Sequence, residues 1–165
     1  MNIREYIPSE RQADFDRLKE AYIRLFNDPA NLKFLSYTGI PFDDEKINHF
    51  FKAHRMQGIR YYCASPGNSD ITGILITKED IVMGFEIYAL VVDHHHRRKG
   101  LGKLLITYGI EAAKDLGFRS VEAAVFVDNK SMLLLLIELD FIPSRMIHHM
   151  RYDDIDLVQL KKNIA

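Results

Sequence analysis

HHHRRKGLGKLL, residues 94–105, sets three histidines and the cations Arg97, Arg98 and Lys99 ahead of Gly100 and Gly102, directly after a valine-rich run ending at Val92. Behind the glycines, Leu101, Leu104, Leu105, Tyr108, Ala112 and Leu116 recur at helical spacing, with Gly117 as a stop signal. Strand, basic glycine loop and helix therefore follow one another. A helix that opens at Gly100 or Leu101 exposes its first backbone N–H groups, which lack intrahelical partners and carry partial positive charge. Two glycines let an anion approach those donors, and Arg97, Arg98, Lys99 and Lys103 add charge around them. The pattern suits a phosphate or pyrophosphate; by composition it equally suits a solvated basic turn.

Working outward, residues 81–92 form the longest apolar strand candidate. Residues 59–65 and 71–77 flank the turn chemistry of 66–70 as an antiparallel hairpin, and Lys78-Glu79-Asp80 supplies the next turn. Upstream, residues 3–7 read as a first strand. Ser9 with Gln12 has the form of a capping box for a helix whose Phe15, Leu18, Tyr22, Leu25 and Phe26 face the core. Asn27 to Pro29 ends it, and a polar, aromatic loop follows. Asp43 caps a second helix, with Ile47, Phe50, Phe51 and His54 on one side and Gly58 as its stop. Downstream, residues 121–127 are a strand, Asn129 caps a short helix through Leu139, and residues 141–152 supply final strand material before a polar amphipathic tail. This order describes an α/β domain with a mixed sheet, antiparallel first and joined by helical crossovers later.

With 165 residues, 47% of them hydrophobic, the chain reads as a single domain spanning residues 1–165 with one sizeable core. A formal charge of −1 offers no general attraction to nucleic acid or to anionic membranes, so any basic site is local. Cys63 stands alone, which excludes an internal disulfide, and the first residues have no signal-peptide pattern. No apolar run nears the roughly 18 residues of a membrane span. The expected compartment is the cytoplasm.

Spacing tests the phosphate reading. A G-x-x-x-x-G-K-[ST] loop needs Gly at 97 and Ser or Thr at 104, where Arg97 and Leu104 stand; a G-x-G-x-x-G fingerprint meets Leu105 at its third glycine. A third pattern fits. Leu90-Val91-Val92-Asp93, followed after four residues by Arg98-Lys99-Gly100-Leu101-Gly102-Lys103, resembles the acetyl-CoA signature of the GNAT acetyltransferase superfamily, with Arg97-x-x-Gly100-x-Gly102 matching its Q/R-x-x-G-x-G/A pattern. The resemblance extends over residues 81–141, through strand 121–127, Asp128-Asn129 and Phe141. It implies a three-layer α/β fold in which a mixed, partly splayed central sheet is flanked by helices. It further implies acetyl-CoA in the gap between the fourth and fifth strands, with pyrophosphate on residues 97–103, pantetheine along Leu90, Val91 and Val92, and Asn129 nearby.

Acyl transfer to an amine of pKa near ~10.4 needs a proton acceptor and a donor for the carbonyl oxyanion. Glu86, the one charge between Phe85 and Val92, is the candidate base. On a period of two it shares a face with Tyr88 and Leu90, and it lies 14 residues before Gly100, the spacing at which histone-acetylating members of the superfamily place their base. A strand glutamate that is merely exposed is the plain alternative. Many members carry N-x-x-A-x-x-L-Y-x-x-x-G-F, with the tyrosine as general acid; here Asn129 opens the motif, but the tyrosine position is Leu136. Tyr88 and Tyr152 are the candidate substitutes, against a plain reading as strand aromatics. By resemblance alone, the oxyanion donor is a backbone N–H near Leu90 or Val91.

His94 to His96 cannot all aim at one ion and no second cluster has zinc spacing, so no metal is expected. His148-His149 reads as alternate faces of an edge strand, and Cys63 as a packing residue. Leu133 to Ile137 is apolar all round, so that helix is either enclosed or meets another copy of the chain in a homodimer. The sequence thus points to an N-acetyltransferase that uses acetyl-CoA on an unidentified amine, with residues 28–44, which hold Phe34, Tyr37 and Phe42, toward the acceptor. A CoA-binding sensor that has lost transfer is the rival reading, prompted by Leu136.

Overall fold

The computed structural model describes residues 1–165 except Arg55, Asn68 and Met83. Asn68 in the 66–70 turn and Met83 in the expected strand 81–92 therefore lie outside the described residues. Among the described residues, seven strands form one sheet in the order β1-β2-β3-β4-β5-β7-β6. β1 (Asn2–Tyr6), β2 (Ile59–Ser65), β3 (Gly73–Asp80) and β4 (Gly84–Val92) are successively antiparallel. β5 (Ser120–Phe126) lies parallel to β4, because the crossover helix α4 (Leu101–Asp115) returns the chain to the same end of the sheet. The sheet is mixed, open and covered by helices on both faces.

α1 (Gln12–Phe26) and α3 (Asp44–Ala53) cover one face, where Leu18, Ile47, Phe51, Tyr61 and Ile74 share a core. Leu18, Ile47 and Phe51 are completely buried, worth roughly 1.5–3 kcal/mol for each side chain. α4 covers the other face over Leu75, Phe85 and Ile87. At Gly109 an added Cβ would come within 2.8 Å of the Leu75 side chain, so a glycine there permits close helix–sheet approach. The buried stripe of α4 is Leu101, Leu105, Ile106, Gly109, Ile110 and Ala113. Of the expected stripe, Leu104, Tyr108 and Leu116 are instead exposed; the glycine draws the helix in along its own side.

Asp43 caps α3 by accepting from Lys46 N–H at 2.8 Å, as expected. The capping box at Ser9 does not form. α1 begins after Arg11 without a side-chain cap, and the Asp14 carboxylate accepts from Ile7 N–H and from Arg4. The expected loop after Pro29 contains a helix, α2 (Pro29–Leu35), capped by Asp28. Lys78-Glu79-Asp80 is strand and not turn, and Ile81 and Val82, fully exposed, stand at the tip of the hairpin. Beyond α5 (Lys130–Glu138) and β6 (Ile142–Ile147), the polar tail is strand β7 (Leu157–Asn163), inserted between β5 and β6 with Leu157, Val158 and Leu160 buried. His148 and His149 lie past the end of β6 and turn toward Asp156, so they are not an edge strand. α5 buries Leu136 and exposes Leu134 and Ile137.

Candidate active site

Among the described residues, β4 and β5 pair only at Phe85↔Val121, Glu86↔Glu122 and Ile87↔Ala123. The next residue of β4 explains why they part. Thr77 pairs with Ile87 and Ile76 with Ala89, so Tyr88 is an extra residue opposite none, a bulge that bends its strand. The bulge also reverses the alternation. Phe85 and Ile87 pack under α4, as do Leu90 and Val92, whereas Ala89 and Val91 pack toward α1. The expectation that Glu86 and Leu90 share a face is therefore corrected: an inserted residue shifts the period of two by one step.

A cleft of about 840 Å³ opens where the strands separate, walled by α2, the basic loop and α5. Tyr88, Leu90 and Val92 line it from β4. Arg97, Arg98, Gly100, Leu101, Gly102 and Lys103 line it from the loop, and Asn129 closes the far wall. Asn129 also caps α5, its Oδ1 accepting from Met132 N–H at 3.3 Å. Val91 turns its side chain into the α1 core, and Lys99 is not part of the lining.

The loop has the form of an anion cradle. Asp93 closes a 3-10 turn at His94–His96 by accepting from His95 N–H at 2.9 Å. Arg98 and Gly100 then adopt left-handed backbone, with φ of 58° and 79°. The first bond within α4 runs from Leu104 N–H to Gly100 O, which leaves the N–H groups of Leu101, Gly102 and Lys103 ahead of it. Nothing lies within 4 Å of a Cβ built on Gly100. Free amides, open space and surrounding cations suit a diphosphate, so the residues present fit the nucleotide end of a CoA ester.

Glu86 lines a smaller neighbouring hollow of about 210 Å³ with Glu122 and Gln159, and Ala123 and Ala124 border both cavities. Burial raises its carboxyl above the ordinary value; Lys78 on β3 works against the shift and Glu122 adds to it. Burial likewise raises the Tyr37 phenol, with Tyr88 and then Glu86 contributing. Tyr37, from the segment after α2, sets its ring edge-on to Phe126 of β5 at 5.3 Å. Tyr152 stands beside Tyr37, its ring over Gly39 and its N–H donating to Tyr37 O at 2.9 Å. Arg151 holds this corner: it is 5% exposed, forked to both Asp128 and Asp153, and donates to Lys33 O at 2.9 Å.

Leu136 is fully buried, so α5 presents no acid at that position. Cys63 is buried and its thiol is pushed up by desolvation, which agrees with packing. Phe34, expected toward the acceptor, lines the cleft, whereas sequence reading missed Asn31 and the helix that carries both; Asp28-Pro29, an N-cap followed by proline at the first helical position, was the available signal.

A sequence profile of the Acetyltransferase (GNAT) family matches residues 15–141. The chain belongs to that family and is an acyltransferase. The fold is similar to that of a ribosomal-protein-alanine N-acetyltransferase from Brucella melitensis, with TM-score 0.80 and 16% identity over 99% of this chain and 100% of that one. It is also similar to a GNAT superfamily phosphinothricin acetyltransferase from Sinorhizobium meliloti in complex with acetyl-CoA (TM-score 0.76, 17% identity, 99% and 88% coverage). A GNAT-family acetyltransferase from Streptococcus pneumoniae superposes with TM-score 0.75 at 23% identity, over 99% of each chain. No curated protein sequence matches the chain significantly.

Proposed function

We propose that the protein is a cytoplasmic N-acetyltransferase that moves an acetyl group from acetyl-CoA to an amine by direct attack in a ternary complex. One observation carries the reading: β4 and β5 part at the Tyr88 bulge, with an anion cradle at one side of the gap and Glu86 at the other. Acetyl-CoA supplies an acyl group activated as a thioester. Residues 97–103 anchor its diphosphate, and Leu90, Val92 and Asn129 line its path. The Glu86 carboxylate takes a proton from the acceptor ammonium through water in the hollow it shares with Glu122, because it does not itself line the larger cleft. Tyr88, half exposed at the gap, is the donor that protonates the departing thiolate, and it regains a proton from the nitrogen as the amide forms. Tyr37 and Tyr152 border the acceptor side.

The test is thiol release from acetyl-CoA across a panel of amines and peptides, with Glu86→Gln beside the wild-type chain. Release with at least one amine, strongly reduced in the variant, is the expected result; no release with any amine overturns the reading. Leu136 favours a second one, a CoA-binding sensor without transfer, since its burial leaves the usual acid position empty of any proton donor. Tight CoA binding with no release across the panel would establish it. The exposed Leu134 and Ile137 carry the homodimer reading, which sedimentation as a monomer would remove.

A further inference from the structure

Asn31 is a buried polar residue on α2, 8% exposed, for which the acetyl-transfer chemistry above has no use. Its carboxamide is engaged at both ends. Nδ2–H donates at 2.8 Å to Leu25 O, a carbonyl near the C-terminus of α1, where the last turn leaves acceptors without amide partners. Oδ1 accepts from the Arg97 guanidinium across the mouth of the cleft. The orientation of the amide follows from chemistry, because a carbonyl only accepts and a guanidinium only donates.

Arg97 is held a second time, its Nε–H donating to Val92 O at 3.3 Å. Two directions of its planar fork are therefore fixed on α2 and β4, which sets the plane of a guanidinium that lines the cleft. Arg97 is otherwise an exposed side chain on an exposed loop, and ordering it at the moment of binding would weaken affinity. The loop is tied down elsewhere as well: to α1, where Arg24 pairs with Asp93 at 2.6 Å, and to the cap of α2, where His94 approaches Asp28 at 3.6 Å.

We propose that Asn31 is a positioning residue: it holds Arg97 in place before the diphosphate arrives and so ties α2 to the nucleotide loop. This rests on the CoA reading above. Asn31 touches no reacting atom and acts through Arg97.

The experiment is calorimetric titration of wild type, Asn31→Ala, Arg97→Ala and the double variant with CoA, and with pantetheine, which lacks the diphosphate, by competition. Asn31→Ala should weaken CoA binding about five-fold, the effect of one side chain that must now be ordered on binding, leave pantetheine binding unchanged, and add nothing in the Arg97→Ala background. Equal loss for CoA and pantetheine, no loss for CoA, or full additivity with Arg97→Ala overturns the proposal. A wild-type chain that binds no CoA overturns the cofactor reading itself. Whether or not the variant folds, side-chain NMR of the ligand-free wild type gives a second answer: an ordered Arg97 Nε–H resonance supports the proposal, and a motionally averaged one overturns it.

Discussion

Glu86 on β4 and Glu122 on β5 are register partners at the root of the gap, like charges set side by side on one sheet face. Such a pair is unfavourable by itself, and cations flank it: Lys78 is Glu86's partner on β3, and Lys161 pairs with Glu122 at 3.2 Å. A carboxylate so placed gives up some stability when it is ionised and accepts a proton readily.

Glu86→Gln should therefore lower kcat by about 100-fold or more, the usual worth of a positioned base, while leaving CoA affinity near that of wild type. Steady-state rates and a CoA titration check the split. In the wild type, activity should fall on acidification through the raised carboxyl value, and this limb of the pH profile should vanish in the variant.

The same residue sets a stability trend. A raised folded value means that the native chain binds this proton more tightly than the unfolded chain, so stability falls as pH rises from the ordinary carboxylate value through the raised one. The Tm of Glu86→Gln should match wild type below about pH 4, under the ordinary glutamate value of ~4.3, and exceed it at pH 7. A higher wild-type Tm at pH 7 would contradict this.

Gly100 and Gly102 should respond differently to alanine. Gly100 has φ 79°, so Gly100→Ala strains the backbone by about 1 kcal/mol or more and weakens CoA binding. At Gly102 the added methyl meets Leu135 at 3.4 Å and Leu90 at 3.6 Å, ordinary contact inside a helix that favours alanine. Gly102→Ala should keep Tm within a few degrees of wild type. Melting curves with and without CoA compare the two.

Arg151→Ala should cost about 1–2 kcal/mol, because it removes a buried side chain bonded to the Lys33 carbonyl and to Asp128 and Asp153, carboxylates that are themselves partly exposed. Denaturant unfolding reads the loss. Since Asp128 precedes Asn129 on the cleft wall, CoA affinity should fall as well.

Asp14 is almost fully buried, and although burial alone would push its carboxyl up, Arg4 and the Ile7 N–H hold it below the ordinary value. Asp14→Ala orphans both donors and should cost about 2 kcal/mol at pH 7. The wild-type advantage should be complete above the ordinary aspartate value of ~3.9 and disappear as pH falls through the depressed one. Unfolding free energies between pH 2 and pH 7 test the sign.

Local chemistry was legible in several places where a signal and its partner lie close in sequence, though not at Ser9, whose capping box does not form, nor at Lys78-Glu79-Asp80, which is strand. Asp43 and Lys46, Asn129 and Met132, and the glycines of the 97–103 loop needed no distant residue to act. α2 was not read from the sequence although Asp28-Pro29 signals its start, because a seven-residue helix is masked by the polar and aromatic stretch around it. Leu157, Val158 and Leu160 hid a strand because their burial depends on β5 and β6, which lie up to about 40 residues away.

The sequence by itself determined a mixed α/β sheet, a helix opened by a basic glycine turn and the residues around it, because periodicity, turn chemistry and helix termini act over a few residues. Tertiary structure alone decided which way Glu86 faces, since one inserted residue at Tyr88 reverses the alternation of β4 and only the register with β3 reveals it. It also decided that Asn31 meets Arg97 across 66 positions of chain, a contact made by packing α2 against the loop and written in no local pattern.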